Sequence, residues 1–267
     1  MNYTKYLATS TIFLALVLSS NFVSAKKSSK AKTSQAIKAL QEPFKFRMSK
    51  KKVLKLIIKE INAKYRKKIL KANRATKKDE IRRKRNHVIK KLKKNVLKFD
   101  GKNKSWNTSI IDDQFAHKNY ESVIAYIDKN TQKFFFFYKN KLYKIFISLS
   151  RNQFRGFNFA KFQMTMEQAY GKAKEVFKKG IAGDTMLHHI FWQGKENAEL
   201  WAMDKTDVYG NFVFILIDST LKNKVVKSRK NRGVKLANAT TLQVNPIVKT
   251  VTSGSKAEKF KKKKKDK

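Results

Sequence analysis

The stretch Lys133–Leu149, KFFFFYKNKLYKIFISL, restricts the folds open to this chain more than any other segment. Successive side chains of a β-strand alternate between its two faces. Four consecutive Phe therefore present rings to both sides, and such a strand belongs in a sheet covered on both faces. Lys139-Asn140 then offers a two-residue turn. Lys141–Leu149 returns with Tyr143, Ile145, Ile147 and Leu149 alternating with Lys144 and Ser148, the pattern of a β-hairpin. A run this apolar and β-prone is an aggregation hazard when exposed, and its flanking lysines act as gatekeepers.

The sheet extends to either side of this hairpin. Ser122–Asp128 reads as a preceding strand, and Met186–Gln193, Ala198–Asp204 and Phe212–Asp218 as three following ones, with turn residues in GKEN and DKTDVYGN between them. Phe159, Phe162, Met166, Ala169 and Tyr170 form a helical stripe, capped by Asn158 and stopped at Gly171. Upstream, Leu54, Ile58, Ile61, Tyr65 and Ile69 recur at helical spacing after Ser49, a candidate N-cap. A second stripe runs through Ile81, Val88, Leu92, Val96 and Phe99. Between the stripes, KANRATKKDE holds a weak capping box at Thr76 and Asp79. An antiparallel pair of coiled-coil type is the preferred arrangement, and one long helix is the alternative. The order αα-βββ-α-βββ predicts an α+β fold: a basic helical hairpin followed by an antiparallel β-sheet domain with a packed helix.

Charge decides where these helices can lie. The chain has 63 Lys and Arg against 19 Asp and Glu, a net charge of +44. Coding bias explains an excess of Lys over Arg but not a shortage of acids. Lys50–Lys98 alone carries 22 basic residues and three acidic ones, a net +19. Like charges at i,i+4 each destabilise a helix by a few tenths of a kcal/mol, so the narrow apolar stripes must be covered by other parts of the chain. The densest cations, Arg82, Arg83, Lys84, Arg85, Lys90, Lys91, Lys93 and Lys94, together with the terminal run Lys261, Lys262, Lys263, Lys264 and Lys265, are the candidate contacts to an anionic surface.

The first 25 residues, MNYTKYLATSTIFLALVLSSNFVSA, follow the grammar of an export signal: Lys5 before an apolar centre at Ile12–Leu18, then small residues at Val23-Ser24-Ala25. Cleavage is expected after Ala25, with an uncleaved anchor or a buried helix as the alternatives. The 267 residues contain no Cys. Disulfides, thiolate metal sites, a Cys nucleophile and a lipoprotein anchor are thereby excluded. The resulting organisation is a signal peptide over 1–25, a flexible basic arm over 26–43, basic amphipathic helices over 44–99, an α+β domain over 100–221 and a disordered Lys-rich tail over 222–267.

No residue pattern specifies a reaction. His188 and His189 are neighbours on a strand, so they face opposite ways and cannot share a metal unless the strand is bulged. Asp112, Asp113, His117 and Glu121 lie close in sequence without matching an EF-hand or a catalytic signature. Trp106 stands in a polar loop, whereas Trp192 and Trp201 fall on neighbouring strands where they can pair across the sheet. No catalytic residue, cofactor or metal is assigned, and an enzyme is not favoured.

FDGKNKSW at Phe99–Trp106, FFFFYKNKLYKIF at Phe134–Phe146, AYGKAKEV at Ala169–Val176 and LWAMDKTDVYGNFVFILID at Leu200–Asp218 resemble segments of uncharacterised exported proteins of deltaproteobacterial type. The resemblance spans Pro43 to about Leu221 and implies no activity. The expected function is that of a non-enzymatic envelope protein, located in the periplasm or on the outer surface of a Gram-negative cell. Its partner would be an anionic membrane surface, lipopolysaccharide or another envelope protein. A nucleic-acid-binding protein and a periplasmic client holder are the alternatives, the latter requiring the helical stripes to be exposed.

Overall fold

The Phe run does lie inside a sheet covered on both sides. The computed structural model describes residues 29–100, 109–127, 131–154, 156–179 and 184–233. Its strands are β1 (Val96–Lys98), β2 (Glu121–Ile127), β3 (Thr131–Tyr138), β4 (Lys141–Ser150), β5 (Lys174–Lys179), β6 (Thr185–Gln193), β7 (Ala198–Lys205) and β8 (Asn211–Asp218). They form one antiparallel sheet in the order β1-β2-β3-β4-β8-β7-β6-β5. Two four-stranded meanders thus meet along β4 and β8. The helices are α1 (Ser29–Gln41), α2 (Lys50–Leu70), α3 (Ala75–Lys94), α4 (Phe159–Tyr170) and α5 (Ser219–Asn231), with a single helical turn at Thr206–Tyr209. The protein is therefore an α+β domain in which a basic helical hairpin leads into an antiparallel sheet with helices packed on it.

The alternation of β3 divides its rings between two cores. Phe135 and Phe137 join Ile145, Ile147, Phe212, Phe214 and Leu216 under α1–α4. Phe134 and Phe136 join Val123, Phe146, Val213 and Ile215 on the opposite face, beneath Leu221 and Val225 of α5 and the segment carrying Phe99, Ile110, Ile111 and Phe115. Burying one such side chain contributes about 1.5–3 kcal/mol. The turn between β3 and β4 needs positive φ at both central residues, and Lys139 and Asn140 adopt it at 46° and 65°. Ser49 caps α2, Asn158 caps α4, and Gly171 ends α4 with φ 81°.

Several expectations change. The segment 26–43 is not simply a flexible arm: from Ser29 it is helical, because Ala36, Ile37 and Leu40 make a short apolar stripe. Ile37 is buried, and Thr33 Oγ1 donates to the Tyr170 carbonyl at the end of α4. The tail does not begin at 222: Asp218 accepts from Leu221 N as an N-cap, and α5 continues to Asn231 with Leu221 and Val225 buried. On α2 the buried residues are Val53, Ile57 and the expected Ile61, with the expected Leu54, Ile58 and Tyr65 partly buried against the same core. Adjacent apolar pairs such as Val53-Leu54 and Ile57-Ile58 leave periodicity unable to choose between them. α3 starts at Arg74 without a side-chain cap and stops at Lys94, so Thr76 and Asp79 form no capping box. Val96 instead opens β1, and Phe99 crosses to the opposite core. β5 was not anticipated, since its KEVFKK has two apolar residues among four charged ones.

The expected signal peptide over 1–25, Trp106 and Lys261–Lys265 lie outside the described residues, and no helix among the described residues is long and apolar enough to cross a membrane.

Phe135→Ala and Phe136→Ala each empty a fully buried site on opposite faces. Each is expected to lower the unfolding free energy by about 3–5 kcal/mol in urea denaturation, whereas Leu70→Ala, 74% exposed, should change it by less than about 0.5 kcal/mol.

Candidate anion-binding surfaces

The apolar sides of α2 and α3 are turned inward, and the cations are left outside. Arg82, Arg83, Lys84, Lys90, Lys91, Lys93 and Lys94 are exposed, and Arg85 is half-buried. Between Ile81 and Lys94 there are eight Lys and Arg and no acid. Only the first turns of α3 supply counter-charges: Arg82 pairs with Asp79 at 2.6 Å, and Glu80 accepts from both Lys77 and Lys84. Those hydrogen bonds, with the charges behind them, lower the Glu80 carboxyl to about 2. The C-terminal half of α3 has no such neutralisation in its own sequence. A client-holding cradle would need exposed apolar stripes here, and Val53, Ile57, Ile61 and Leu92 are buried.

A second cationic surface was not anticipated, because half of it comes from α5. Tyr138, Lys139 and Lys141 at the β3–β4 turn face Leu221, Lys224, Lys227, Ser228, Asn231 and Arg232 across a cleft of about 510 Å3. The lining contains five cations and no carboxylate. Arg232 lies over the ring of the exposed Tyr120 at 4.2 Å, and Lys139 over the same ring at 5.6 Å, so the aromatic ring holds two cations beside the rim. The signal available in the sequence was Asp218 three residues before Leu221, with Val225 four later, which is a cap followed by an apolar stripe.

A buried polar network fixes α5 and so builds this cleft. Glu121 is inaccessible, and Arg229 donates from Nε at 2.8 Å and from a terminal nitrogen at 2.6 Å to its two oxygens. Tyr143 Oη donates to Glu121 at 3.0 Å, Asn119 Nδ2 donates at 2.9 Å, and Ser228 Oγ donates to Asn119 Oδ1 at 2.7 Å. Burial, and then the Glu121 charge, raise the Tyr143 phenol well above its usual value. Tyr143 reaches this network because β4 bulges: Phe136 pairs with Lys144 and Phe137 with Leu142, leaving Tyr143 as the extra residue. Tyr143 and Lys144 consequently act on the same face, where Lys144 Nζ donates to the Gln114 carbonyl at 2.6 Å.

Of the suspected group around residues 112–121, the two members with described side chains are engaged elsewhere. Glu121 is committed to Arg229, and His117 packs edge-on against Phe99 and Phe115. The side chains of Asp112 and Asp113 lie outside the described residues. Trp192 and Trp201 do not pair either, since Trp192 registers with Leu200 and Trp201 with Phe191, which puts the indoles on opposite faces. His188 and His189 do converge, contrary to simple alternation. Val176 pairs with His189 and Phe177 with Leu187, so His188 is a bulged residue, and the two Nδ1 atoms lie 2.7 Å apart. His189 stacks on Trp201 at 4.2 Å. Burial, with the nearby His188 and Lys222 charges, lowers the His189 imidazole to about 4.

No family model matches the chain, and no curated protein matches it. Among solved structures, a cysteine-rich secretory protein from Staphylococcus aureus aligns over 40% of this chain and 39% of that one, with 6% identity and a TM-score of 0.23. A likeness that slight bears on neither fold nor function.

Arg229→Met strands the buried Glu121 charge and is expected to cost about 3–5 kcal/mol of stability in chemical denaturation. His189 folds as a neutral ring whose value lies below the unfolded 6.5. Its contribution is complete above that pH and is lost as pH falls toward about 4. The difference in stability between the parent and His189→Gln, followed by denaturation at several pH values, should shrink through that window.

Proposed function

We propose that this is an exported, non-enzymatic envelope protein that attaches to an anionic surface through the outer faces of α2 and α3 and the cleft beside α5. The observation that carries the reading is the run of eight cations without an acid from Ile81 to Lys94, turned outward by a hairpin whose apolar side is occupied by the sheet. A folded domain has no need of that run: each like-charge neighbour on α3 costs a few tenths of a kcal/mol. An anionic surface removes this cost and returns about 1 kcal/mol for each Lys or Arg brought near it. Phospholipid head groups and lipopolysaccharide both offer phosphates at the required density. Lys outnumbers Arg along both α2 and α3, and such a diffuse array of point charges suits a polyanionic surface better than bidentate reading of bases, for which Arg is the preferred residue. The N-terminal grammar, the lack of Cys and the resemblance to exported bacterial proteins support the envelope as the location.

The intact protein recovered from fractionated cells is expected to begin at Lys26 and to sediment with the periplasmic or membrane fraction. Flotation with phosphatidylglycerol-containing vesicles should recover it at low salt and lose it as salt rises, with no binding to neutral vesicles. Changing Arg83, Lys90, Lys91 and Lys94 together to Gln should weaken vesicle binding by up to about a thousandfold. A full-length cytosolic species that co-purifies with nucleic acid would overturn the reading.

A further inference from the structure

The cations of α3 are spread along one exposed helix, whereas those of the cleft beside α5 converge. Lys139 and Lys141 reach it from the β3–β4 turn, Lys224 and Lys227 from α5, and Arg232 from the residue that caps α5. We propose, building on the anionic partner inferred above, that this cleft is a discrete site for a phosphomonoester group carried on a sugar or a lipid head group. A phosphomonoester holds close to two negative charges at neutral pH and offers three terminal oxygens. A phosphodiester holds one charge on two such oxygens. Cations arriving from two walls can engage different oxygens of one phosphoryl group, and their gain grows with its charge. The cleft, at about 510 Å3, has the size of a small-molecule site and leaves room for the body that bears the phosphate. The buried Tyr138 and Leu221 supply the apolar part of its lining.

Both walls are fixed before a ligand arrives. The turn adopts positive φ at Lys139 and Asn140 and closes a hairpin whose Phe136, Phe137 and Leu142 are fully buried. On the other wall, the Arg232 guanidinium lies over Tyr120 at 4.2 Å and donates to the Lys118 carbonyl at 3.4 Å. Stacking on one face leaves the edge of the guanidinium for a phosphate. The acids beside these elements do not weaken the field. Asp218, at the start of α5, is buried and paired with Arg47 at 3.0 Å, and Glu121, beside Tyr120, is buried and paired with Arg229 at 2.6 Å. The second of these pairs also anchors the helix that forms the wall.

Calorimetric titration of the full chain with glucose 6-phosphate at physiological salt is expected to show one saturable site. Glucose 6-sulfate, of the same shape but with a single charge, should bind about tenfold or more weaker. Affinity for the phosphate should rise between about pH 5 and about pH 7 as its second proton leaves, and affinity for the sulfate should not. Lys141→Gln, Lys224→Gln and Lys227→Gln together, all at exposed positions, should weaken phosphate binding about tenfold or more, with the fold checked by circular dichroism. An equal loss of charge at the exposed Lys172, Lys178 and Lys179, around β5, should leave it unchanged. Vesicles of equal surface charge identify the source. A preference for phosphatidic acid over phosphatidylglycerol, lost in the cleft variant, assigns the group to a lipid, whereas equal binding to both beside an intact glucose 6-phosphate site assigns it to a soluble ester. Vesicle binding with no such preference and no glucose 6-phosphate site overturns the cleft site and leaves the surface attachment standing. A glucose 6-phosphate site without any vesicle binding does the reverse. Undiminished phosphate binding in the folded cleft variant also overturns the site.

Discussion

The structure depends on one requirement: a sheet that is apolar on both faces must be closed off from water on both faces by a chain of net charge +44. Phe134 and Phe136 point one way, Phe135 and Phe137 the other, and neither side can be left open. α1 to α4 close one face, while α5 together with Phe99, Ile110, Ile111 and Phe115 closes the other. Because α1, α2, α3 and α5 each have only a narrow apolar stripe, their remaining circumference carries the charge outward. The cationic exterior and the aromatic interior are therefore two sides of the same helices.

The two faces are closed by different physics. On the hairpin side, contacts are predominantly apolar and aromatic, as in the stack of Phe162 on Phe212 at 4.4 Å. On the α5 side, a buried ion pair between Glu121 and Arg229 joins the helix to the sheet. A buried pair contributes little net stability compared with apolar packing but is intolerant of losing one partner, so it specifies where α5 sits. Both bulges serve this second face or its margin. At Tyr143 the extra residue brings two polar side chains into the network, and at His188 it brings two imidazoles together.

Most of the sheet was legible because its strands are long, apolar and separated by turn residues: β2, β3, β4, β6, β7 and β8 fall within two residues of their expected limits. β5 and β1 were not, since short edge strands with Lys and Glu carry little periodic signal. α1 and α5 were hidden by composition, with only the short stripes Ala36, Ile37, Leu40 and Leu221, Val225 amid Lys, Ser and Asn. The exposed cations of α3 could be read directly from charge density. The cleft beside α5 and the histidine pair could not, because each depends on tertiary placement: one on residues about 80 positions apart, the other on a bulge that overrides alternation.

The docking place of α1 has a temporal consequence. Its contacts are with Tyr170 at the end of α4 and with the β6–β7 region, where Ile37 lies close to Gly194. A ribosome makes α1 before any of these surfaces exists. Only after β7 has been synthesised can the first helix find its seat, and by then α2, α3 and the first meander are already available to form. The first helix of the described chain is thus among the last to be seated, because Thr33 and the Tyr170 carbonyl it meets are 137 residues apart.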